Sequence, residues 1–389
     1  MSEKLSIVIP AYNEQASIAG IVGRCLAAGA PICAATGLTG VEVLVVDDGS
    51  RDKTGEIAAA IPGARLITHP QNKGYGQALM TGFAAATGDY LSFLDADGTC
   101  DPLAFIELYK ALKRENADMA VGNRLHAGSQ MPRVRYIGNR LYGWLISLLS
   151  GVHVEDTASG MRLFSARLLP RLAPLPSGLH FTPAMTARMA CMGARITETP
   201  IPYAEREGRS KLSVVRDGLR FLRVILGIIF AYFPLRIFGP IGLVFLVTAL
   251  AYSIGPVSFY LRNRYLHEDV IYRLITISTL CVCGLTALIF GLIGQRVSNV
   301  SVRRVRGALE AGWLRGGSLL AGALLGAAGV ALNSWTILEY LSSGRITIHW
   351  VYVLTGGLLV ILGTLLLCAG IMMAILDHLP DSGAPSRSL

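Results

Sequence analysis

The segment LSIVIPAYNE at residues 5–14 passes from an apolar, β-branched run to a polar end. VEVLVVDDGS at residues 41–50 repeats this pattern, and so does YLSFLDAD at residues 90–97. Short apolar runs with polar or turn-forming ends are typical of strands that are buried on both faces. Ala-rich, helix-like stretches separate them, so the sequence predicts an α/β domain with a largely parallel sheet. Such sheets bind ligands beyond the carboxyl ends of their strands, where the polar residues stand here.

Six strands are predicted in the first half of the chain. They cover residues 5–9, 41–46, 65–68, 90–94, 118–121 and 196–201. We end this domain at residue 212, because its mixed, globular composition then gives way to long apolar runs.

The second half of the chain is too apolar for an ordinary soluble enzyme. Of the 389 residues, 52% are hydrophobic and 16% are charged, and apolar runs dominate residues 236–377. Four runs approach or exceed the ~20 residues that a membrane helix needs. They cover residues 236–260, 271–295, 316–340 and 350–376. We therefore predict a four-span transmembrane domain at residues 236–377, followed by a tail at residues 378–389.

Residues 213–235 join the two halves and predict an amphipathic helix. Arg216, Arg220 and Arg223 recur at helical spacing among apolar residues. A basic stripe beside an apolar one is typical of helices at a membrane interface. A core helix of the first domain is the alternative, but the position directly before the first span favours the interface.

The distribution of arginines also predicts the orientation in the membrane. The connection between the second and third spans contains a single acidic residue, Glu310, and five arginines: Arg296, Arg303, Arg304, Arg306 and Arg315. Basic connections of this kind remain in the cytoplasm. With four crossings, the first domain and the tail lie on that face too. We expect an integral membrane protein of a bacterial or archaeal plasma membrane, with its catalytic domain on the cytoplasmic face and no signal peptide.

The remaining composition argues against other classes of protein. The net charge of +9 does not indicate nucleic-acid binding, because no basic and aromatic recognition motif accompanies it. The seven cysteines show neither a metal-site spacing nor the pattern of a secreted disulfide scaffold. Reduced thiols facing the cytosol are the expectation.

Asp95 and Asp97 are the strongest candidates for metal binding. They stand two residues apart at the end of a predicted strand, with Ala96 between them. Paired carboxylates suit Mg²⁺ or Mn²⁺, which also takes phosphate oxygens of a substrate as ligands. An Asp-x-Asp triplet alone is equally typical of a solvated turn. Its context favours a site, because Asp48 follows another strand and a Gly-rich stretch at residues 72–76 precedes the next helix.

These segments together carry a family resemblance. The other strings are HPQNKGYGQAL at 69–79, GDYLSFLDADGTCDP at 88–102, GNR at 122–124, DTASGMRLFS at 156–165 and EREGRSKLS at 205–213. The chain from residue 5 to about residue 213 resembles family 2 glycosyltransferases of the GT-A fold, in particular the polyprenyl-phosphate sugar synthases, which include the dolichol-phosphate mannose synthases. The four spans look like the anchor of some members.

The resemblance implies roles for individual residues. It implies Mg²⁺ or Mn²⁺ on the donor diphosphate, held by Asp95 and Asp97. It also implies that Arg124 reaches phosphate, and that residues 206–211 form a loop that closes over the donor. The implied nucleotide-sugar site consists of Pro10, Tyr12, Glu14, Val46, Asp48, Lys73, Asp95, Ala96, Arg124, Arg206 and Lys211. Two departures from relatives are Thr99, where some carry Gln, and Thr182, where many carry an acidic residue.

The acceptor is expected to be a lipid phosphate. A phosphate monoester is largely dianionic at neutral pH, with a second pKa of about 6, and needs no general base. Asp156 is the further candidate for catalysis beside Asp97 and Arg124, as a base or to orient the acceptor; a loop cap is as probable. The candidates for binding the acceptor phosphate are Arg133, Arg135, Arg140, Ser210 and the basic stripe of Arg216, Arg220 and Arg223. A solvated basic face is the alternative for Arg133, Arg135 and Arg140.

We therefore predict inverting transfer from a GDP- or UDP-sugar to polyprenyl phosphate. A homo-oligomer is compatible with this prediction. A processive polysaccharide synthase is disfavoured because no Gln-x-x-Arg-Trp string occurs. Transfer to a sugar hydroxyl stays open if Asp156 is a base. A transporter with a nucleotide-sensing domain is disfavoured by the scarcity of ionisable residues within the spans.

Overall fold

The computed structural model describes residues 3–126, 129, 131–172, 174–202, 214–265, 268–302, 313–344, 347 and 349–378. The chain divides into two compact units, Met1–Ile229 and Phe230–Leu389. The first is an α/β unit and the second is helical, as the sequence predicts. The predicted domain boundaries at 212 and 235 flank this division, which falls within a single helix.

A seven-stranded sheet forms the centre of the first unit. Its strands are β1 (Lys4–Ala11), β2 (Gly40–Asp47), β3 (Ala64–Thr68), β4 (Tyr90–Phe93), β5 (Met119–Asn123), β6 (Arg162–Ser165) and β7 (Ile196–Pro200). The order across the sheet is β3-β2-β1-β4-β6-β5-β7. All six predicted strands are present. The polar segments after β1, β2 and β4 therefore lie at neighbouring strand ends.

Strand β6 was missing from the sequence prediction. It has only four residues, and it begins at Arg162, whose side chain is fully buried. A charged residue opening so short a run gives no strand pattern. β6 pairs antiparallel with both β4 and β5, whereas the other four pairings are parallel. The sheet is thus mixed at its centre.

Helices cover both faces of the sheet. In the first unit they are α1 (Ile18–Thr36), α2 (Thr54–Ala59), α3 (Tyr75–Ala85), α4 (Ala104–Arg114), α5 (Arg133–Ser150), α6 (Leu169–Leu172) and α7 (Phe181–Cys191). One core cluster joins the sheet to α1 and α4, and the other joins it to α3 and α7. Three layers result, with the apolar strands buried between helices as a parallel sheet requires.

Helix α8 (Val214–Tyr232) continues from the first unit into the second. It matches the predicted amphipathic segment: Arg216, Arg220 and Arg223 are exposed, while Ile225 and Ile229 are fully buried. Only one residue separates its end from the first helix of the second unit.

The second unit consists of long apolar helices, α9 (Pro234–Asn263), α10 (Ile271–Val302), α11 (Trp313–Ser343) and α12 (Trp350–His378). Each contains one predicted span. Helix α1 is also long and apolar enough to cross a membrane. It instead buries Ile18, Ile21, Val22, Cys25, Ala28 and Ile32 in the first unit. Within the part of the chain that the structure describes, this leaves α9 to α12 as candidate spans, the number the sequence predicts.

Glycines bring two of these long helices together. A Cβ at Gly329 of α11 would lie 2.6 Å from the carbonyl oxygen of Gly356 in α12, and a Cβ at Gly363 would lie 2.6 Å from the Gly326 nitrogen. Small residues at such crossings let membrane helices approach closely. Most of the basic connection and the tail, at 303–312 and 379–389, fall outside the described residues.

Candidate functional site

A cavity of about 420 Å³ opens at the carboxyl ends of β1, β2 and β4. Predicted site residues that line it are Pro10, Tyr12, Glu14, Asp48, Asp95, Ala96 and Asp97. It is also lined by Tyr75, from the Gly-rich stretch, and by Arg220, from the basic stripe predicted for the acceptor phosphate. Gly160, Thr182 and Phe221 line it too, and no role there was predicted for them. The structure thus brings segments from distant parts of the chain to one place.

The two aspartates after β4 are held by hydroxyl groups. Tyr75 donates from its hydroxyl to Asp95 Oδ1 at 2.8 Å. Burial, reinforced by the negative charge of Asp95, raises the pKa of Tyr75, so this hydroxyl stays protonated and remains a donor. Thr99 donates to Asp97 Oδ1 from its hydroxyl at 2.7 Å and from its backbone at 3.2 Å. Thr99 therefore orients Asp97.

Gly160 packs directly against Asp95. A Cβ at this position would overlap Asp95 Oδ2 and would lie 2.6 Å from Asp95 Cγ. Such a separation is far inside van der Waals contact, and the structure would have to shift to relieve it. The absent side chain at 160 is what leaves room for the Asp95 carboxylate.

Replacing Gly160 with alanine is therefore expected to displace Asp95 and to lower turnover about 100-fold, since a displacement of 1 Å at a catalytic group can have that effect. Initial rates of sugar transfer would measure it. Gly20, whose added Cβ would meet nothing within 4 Å, supplies the matched control Gly20→Ala. Equal rates for the two variants would contradict the importance of this contact.

The donor set of the cavity fits a hard divalent cation. Asp95 and Asp97 both line it, and carboxylate oxygens suit Mg²⁺ and Mn²⁺. Within the described residues, no group of three or more His, Cys, Asp or Glu side chains is placed to hold a metal. Two carboxylates are nevertheless enough for Mg²⁺, which keeps waters and takes substrate phosphate oxygens as further ligands.

Asp48 anchors the Gly-rich loop to the end of β2. Its Oδ1 accepts from the Lys73 backbone at 2.8 Å and pairs with His69 Nδ1 at 2.7 Å, and its Oδ2 accepts from the Gly74 backbone at 2.8 Å. The carboxylate is almost fully buried. Asp48 thus lines the cavity as predicted, and it also fixes the loop beside it. The Lys73 side chain is exposed and does not line the cavity.

The glycines of this loop allow a close approach of two backbones. Gly74 has φ +98°, and its added Cβ would lie 2.6 Å from the Ser177 carbonyl oxygen. Gly76 donates to the same oxygen at 2.6 Å. The sequence suggested that these glycines approach a ligand. In the structure Gly74 lines the cavity, and both glycines pack against the backbone of residues 176–177.

Val46 requires a correction. Its side chain is fully buried in the core cluster under α3 and does not line the cavity. Successive strand residues point to opposite faces of a sheet, and Val46 faces the helix layer that contains α3. A position near the end of a strand therefore does not by itself place a residue in the site.

Arg124 and Asp156 form a buried ion pair beside the cavity. Arg124 donates to Asp156 Oδ2 from Nε at 2.8 Å and from its backbone at 3.0 Å, and to Oδ1 from Nη2 at 2.9 Å. Asn139 of α5 also donates to Oδ1. Burial by itself favours the protonated acid, but the charge and hydrogen bonds of Arg124 prevail and lower the pKa of Asp156.

This environment argues against the predicted catalytic base. Asp156 has no exposed surface, and both of its carboxylate oxygens accept hydrogen bonds. A base must reach the proton that it removes. In the structure Asp156 accepts three hydrogen bonds from Arg124. Neither residue lines the cavity.

A further acid in this region, the half-buried Glu198, was missed in the sequence. Its Oε1 accepts from the backbones of Glu155 and Asp156, and its Oε2 accepts from the Asn123 amide at 2.9 Å. Burial, with the nearby charges of Asp156 and Glu155, raises the pKa of Glu198. Glu198 lies in β7, and nothing in that strand's sequence signals contact with residues 155–156.

Most of the residues predicted to bind the acceptor phosphate lie outside the cavity lining. Arg133 and Arg140 are exposed on α5, Arg135 is half-buried there, and none of them lines the cavity. Arg220 of α8 does line it. Arg206, Ser210 and Lys211 fall outside the described residues.

Comparison with known proteins gives consistent matches. Residues 6–172 match the sequence model of glycosyl transferase family 2. The low-salt glycan biosynthesis hexosyltransferase Agl6 of Haloferax volcanii is 31% identical over 322 residues, covering 79% of this chain and 71% of that protein. The dolichyl-phosphate hexose transferase of the same organism is 32% identical over 217 residues, covering 56% and 90%. An undecaprenyl-phosphate 4-deoxy-4-formamido-L-arabinose transferase of Sodalis glossinidius is 28% identical over 306 residues, covering 77% and 89%.

Proposed function

The chain is a glycosyltransferase of family 2, and from this premise we propose that it transfers a sugar from a GDP- or UDP-sugar to a polyprenyl phosphate, with inversion. The observation that carries the proposal is the pair Asp95 and Asp97 in a cavity at the strand ends. Two relatives are named for transfer to dolichyl or undecaprenyl phosphate. Four candidate spans suit a lipid acceptor.

In this proposal the donor lies in the cavity. Pro10, Tyr12, Glu14 and Asp48 surround the nucleotide, and Asp95 and Asp97 hold Mg²⁺ or Mn²⁺. When bound, that ion neutralises charge on the departing nucleoside diphosphate. Tyr75 and Thr99 keep the two carboxylates in place before the donor arrives, and such preorganised groups stabilise a developing charge most effectively.

The acceptor in this proposal supplies its own nucleophile. A lipid monophosphate is largely dianionic at neutral pH and needs no base. This agrees with the buried, paired state of Asp156. Arg220, an exposed cation that lines the cavity, is suited to attract the acceptor phosphate. We propose that residues 236–377 span the plasma membrane, with the α/β domain on the cytoplasmic face.

The test uses the full-length protein in detergent or nanodiscs, supplied with polyprenyl phosphate and a panel of labelled GDP- and UDP-sugars. We expect label to enter organic solvent with one donor, and to fall to background when a chelator removes divalent cations. Added Mg²⁺ or Mn²⁺ should restore transfer. Label found only in water-soluble or polymeric products would contradict a lipid acceptor. Transfer unaffected by chelator would contradict the proposed ion.

A further inference from the structure

His69 is a buried polar residue to which the proposed function assigns no part. It directly follows β3, and its backbone donates to the Asp47 carbonyl at 2.8 Å, which fixes the start of the loop after β3. Its side chain is enclosed, with Nδ1 2.7 Å from Asp48 Oδ1 and Nε2 3.0 Å from the Thr81 hydroxyl. Both ring nitrogens are therefore engaged, one at the end of β2 and the other on α3.

The partners of the ring decide the direction of its hydrogen bonds. A carboxylate oxygen can only accept, so His69 Nδ1 carries a hydrogen and donates it to Asp48. A hydroxyl can donate or accept, so Thr81 satisfies Nε2 whether or not that nitrogen is protonated. Asp48 thus receives a hydrogen bond from His69 in either charge state of the ring.

This hydrogen bond determines how many acceptor positions Asp48 has left. A carboxylate has two oxygens with two lone pairs each. Oδ1 accepts from His69 and from the Lys73 backbone, and Oδ2 accepts from the Gly74 backbone. Within the described part of the chain these are the partners of the carboxylate, so one lone pair remains, on Oδ2. Because Asp48 lines the cavity, this single acceptor is what its carboxylate can offer to a ligand there.

The backbone around Asp48 holds the carboxylate in this arrangement. The Asp48 N–H donates to the Ala11 carbonyl at 2.8 Å. A Cβ on Gly49 would lie 2.6 Å from the carbonyl carbon of Gln71, so the chain after Asp48 packs directly against the loop that leads into the Gly-rich stretch. A rotation that freed Oδ1 would strand the N–H groups of that loop and of His69, which is costly.

A single acceptor discriminates between nucleotide bases. The Watson–Crick edge of guanine presents two adjacent donors, its ring N–H and its amino group, which suit a carboxylate with a free lone pair on each oxygen. Uracil presents one ring N–H, between two carbonyl oxygens. A donor that enters a buried site and finds no acceptor weakens binding strongly. The arrangement at Asp48 therefore suits uracil better than guanine.

We propose that His69 is a positioning residue that makes the donor site selective for uridine. By occupying the second lone pair of Asp48 Oδ1, it leaves Oδ2 to accept from the ring N–H of uracil and leaves no partner for the second donor of guanine. This rests on the proposed donor site, and it narrows the GDP- or UDP-sugar named there to a UDP-sugar. His69 itself does not line the cavity, so its effect passes through Asp48.

Equilibrium binding of UDP and GDP to the full-length protein in detergent, with excess Mg²⁺, tests this selectivity without acceptor or turnover. Titration calorimetry should show that UDP binds about 30-fold more tightly than GDP, the effect of one unpaired donor in a buried site. A parent protein that binds GDP at least as tightly as UDP would overturn the proposal.

Two amide variants separate positioning from packing. His69→Asn places its amide nitrogen where Nδ1 stands and keeps the donor to Asp48, so the preference for UDP should persist. His69→Gln places its amide nitrogen where Nε2 stands, which keeps Thr81 but frees Asp48 Oδ1, so the preference should fall about tenfold. His153→Gln, at a side chain that is 82% exposed, is the control and should change neither dissociation constant.

The comparison of the two amides decides the role of His69. A preference lost equally in both variants, or kept in both, would overturn the proposal, because a packing role affects the two alike. A parent protein that binds neither nucleotide would overturn the donor site and this selectivity together. UDP-selective binding that follows the expected series, without transfer of sugar to lipid, would support His69 and count against the proposed function alone.

Discussion

Replacing Asp97 with alanine is expected to lower the rate of sugar transfer about 1,000-fold, the size of effect that follows loss of a group stabilising transition-state charge. Asp97 lines the cavity and is oriented by Thr99, and we propose it as a metal ligand. Without it, one of two protein carboxylates is missing from the ion on the donor diphosphate. The measurement is the initial rate of label entering lipid, at saturating divalent cation.

Two further variants provide an intermediate effect and a control for Asp97→Ala. Thr99→Val removes the hydroxyl that donates to Asp97, and a loss of about tenfold is expected, in line with a single hydrogen bond to a charged group. Asp101→Asn changes an exposed carboxylate four residues further on, outside the cavity lining, and should leave the rate unchanged. An Asp97→Ala protein with full turnover and an unchanged melting temperature would remove Asp97 from the proposed site.

The parts of the site that the sequence predicted are those coded locally. Pro10 lies at the end of β1, Asp48 directly follows β2, and Asp95 and Asp97 come just after β4. Parallel strands bring these carboxyl ends to one edge of the sheet. An apolar run with a polar end is therefore enough to locate them. The four long apolar helices were predictable for a similar reason, since their length and composition alone distinguish them.

The features that the sequence could not reveal depend on contacts between distant residues. Arg124 and Asp156 are 32 residues apart, and Asn123 and Glu198 are 75 apart. No local pattern shows that Asp156 is enclosed by an arginine and an amide. Strand β6 was missed because its pairing with β4 and β5, not its composition, makes it a strand. Gly160 shows the same limit, since its close contact is with Asp95.

Asp156→Ala is expected to destabilise the α/β unit by about 3–5 kcal/mol, the cost of leaving the partner of a buried ion pair uncompensated. Arg124 would keep its charge, with 11% of its side chain exposed, and would lose three hydrogen bonds. The melting temperature of the full-length protein should fall by about 10 °C.

The pH dependence of this loss follows from the lowered pKa of Asp156. The contribution of Asp156 to the free energy of unfolding is present above the usual carboxyl pKa of about 4 and is lost only as the pH falls through the folded-state value. The deficit should therefore be constant between neutral pH and about pH 5.

A double-mutant cycle separates this positioning role from catalysis. Arg124→Ala leaves a buried carboxylate and should destabilise to a similar extent, whereas removing both partners should cost less than the sum of the single changes, since neither charge is then stranded. If Asp156 were a base, stability and activity would respond differently to Asp156→Asn. This variant keeps the shape of the side chain and one acceptor oxygen for Arg124, but it cannot take up a proton. If Asp156→Asn melted like the parent protein and yet lost transfer about 1,000-fold, Asp156 would act chemically and not through Arg124. The burial of its carboxylate and its low pKa predict the reverse, in which melting temperature and transfer fall together across the series.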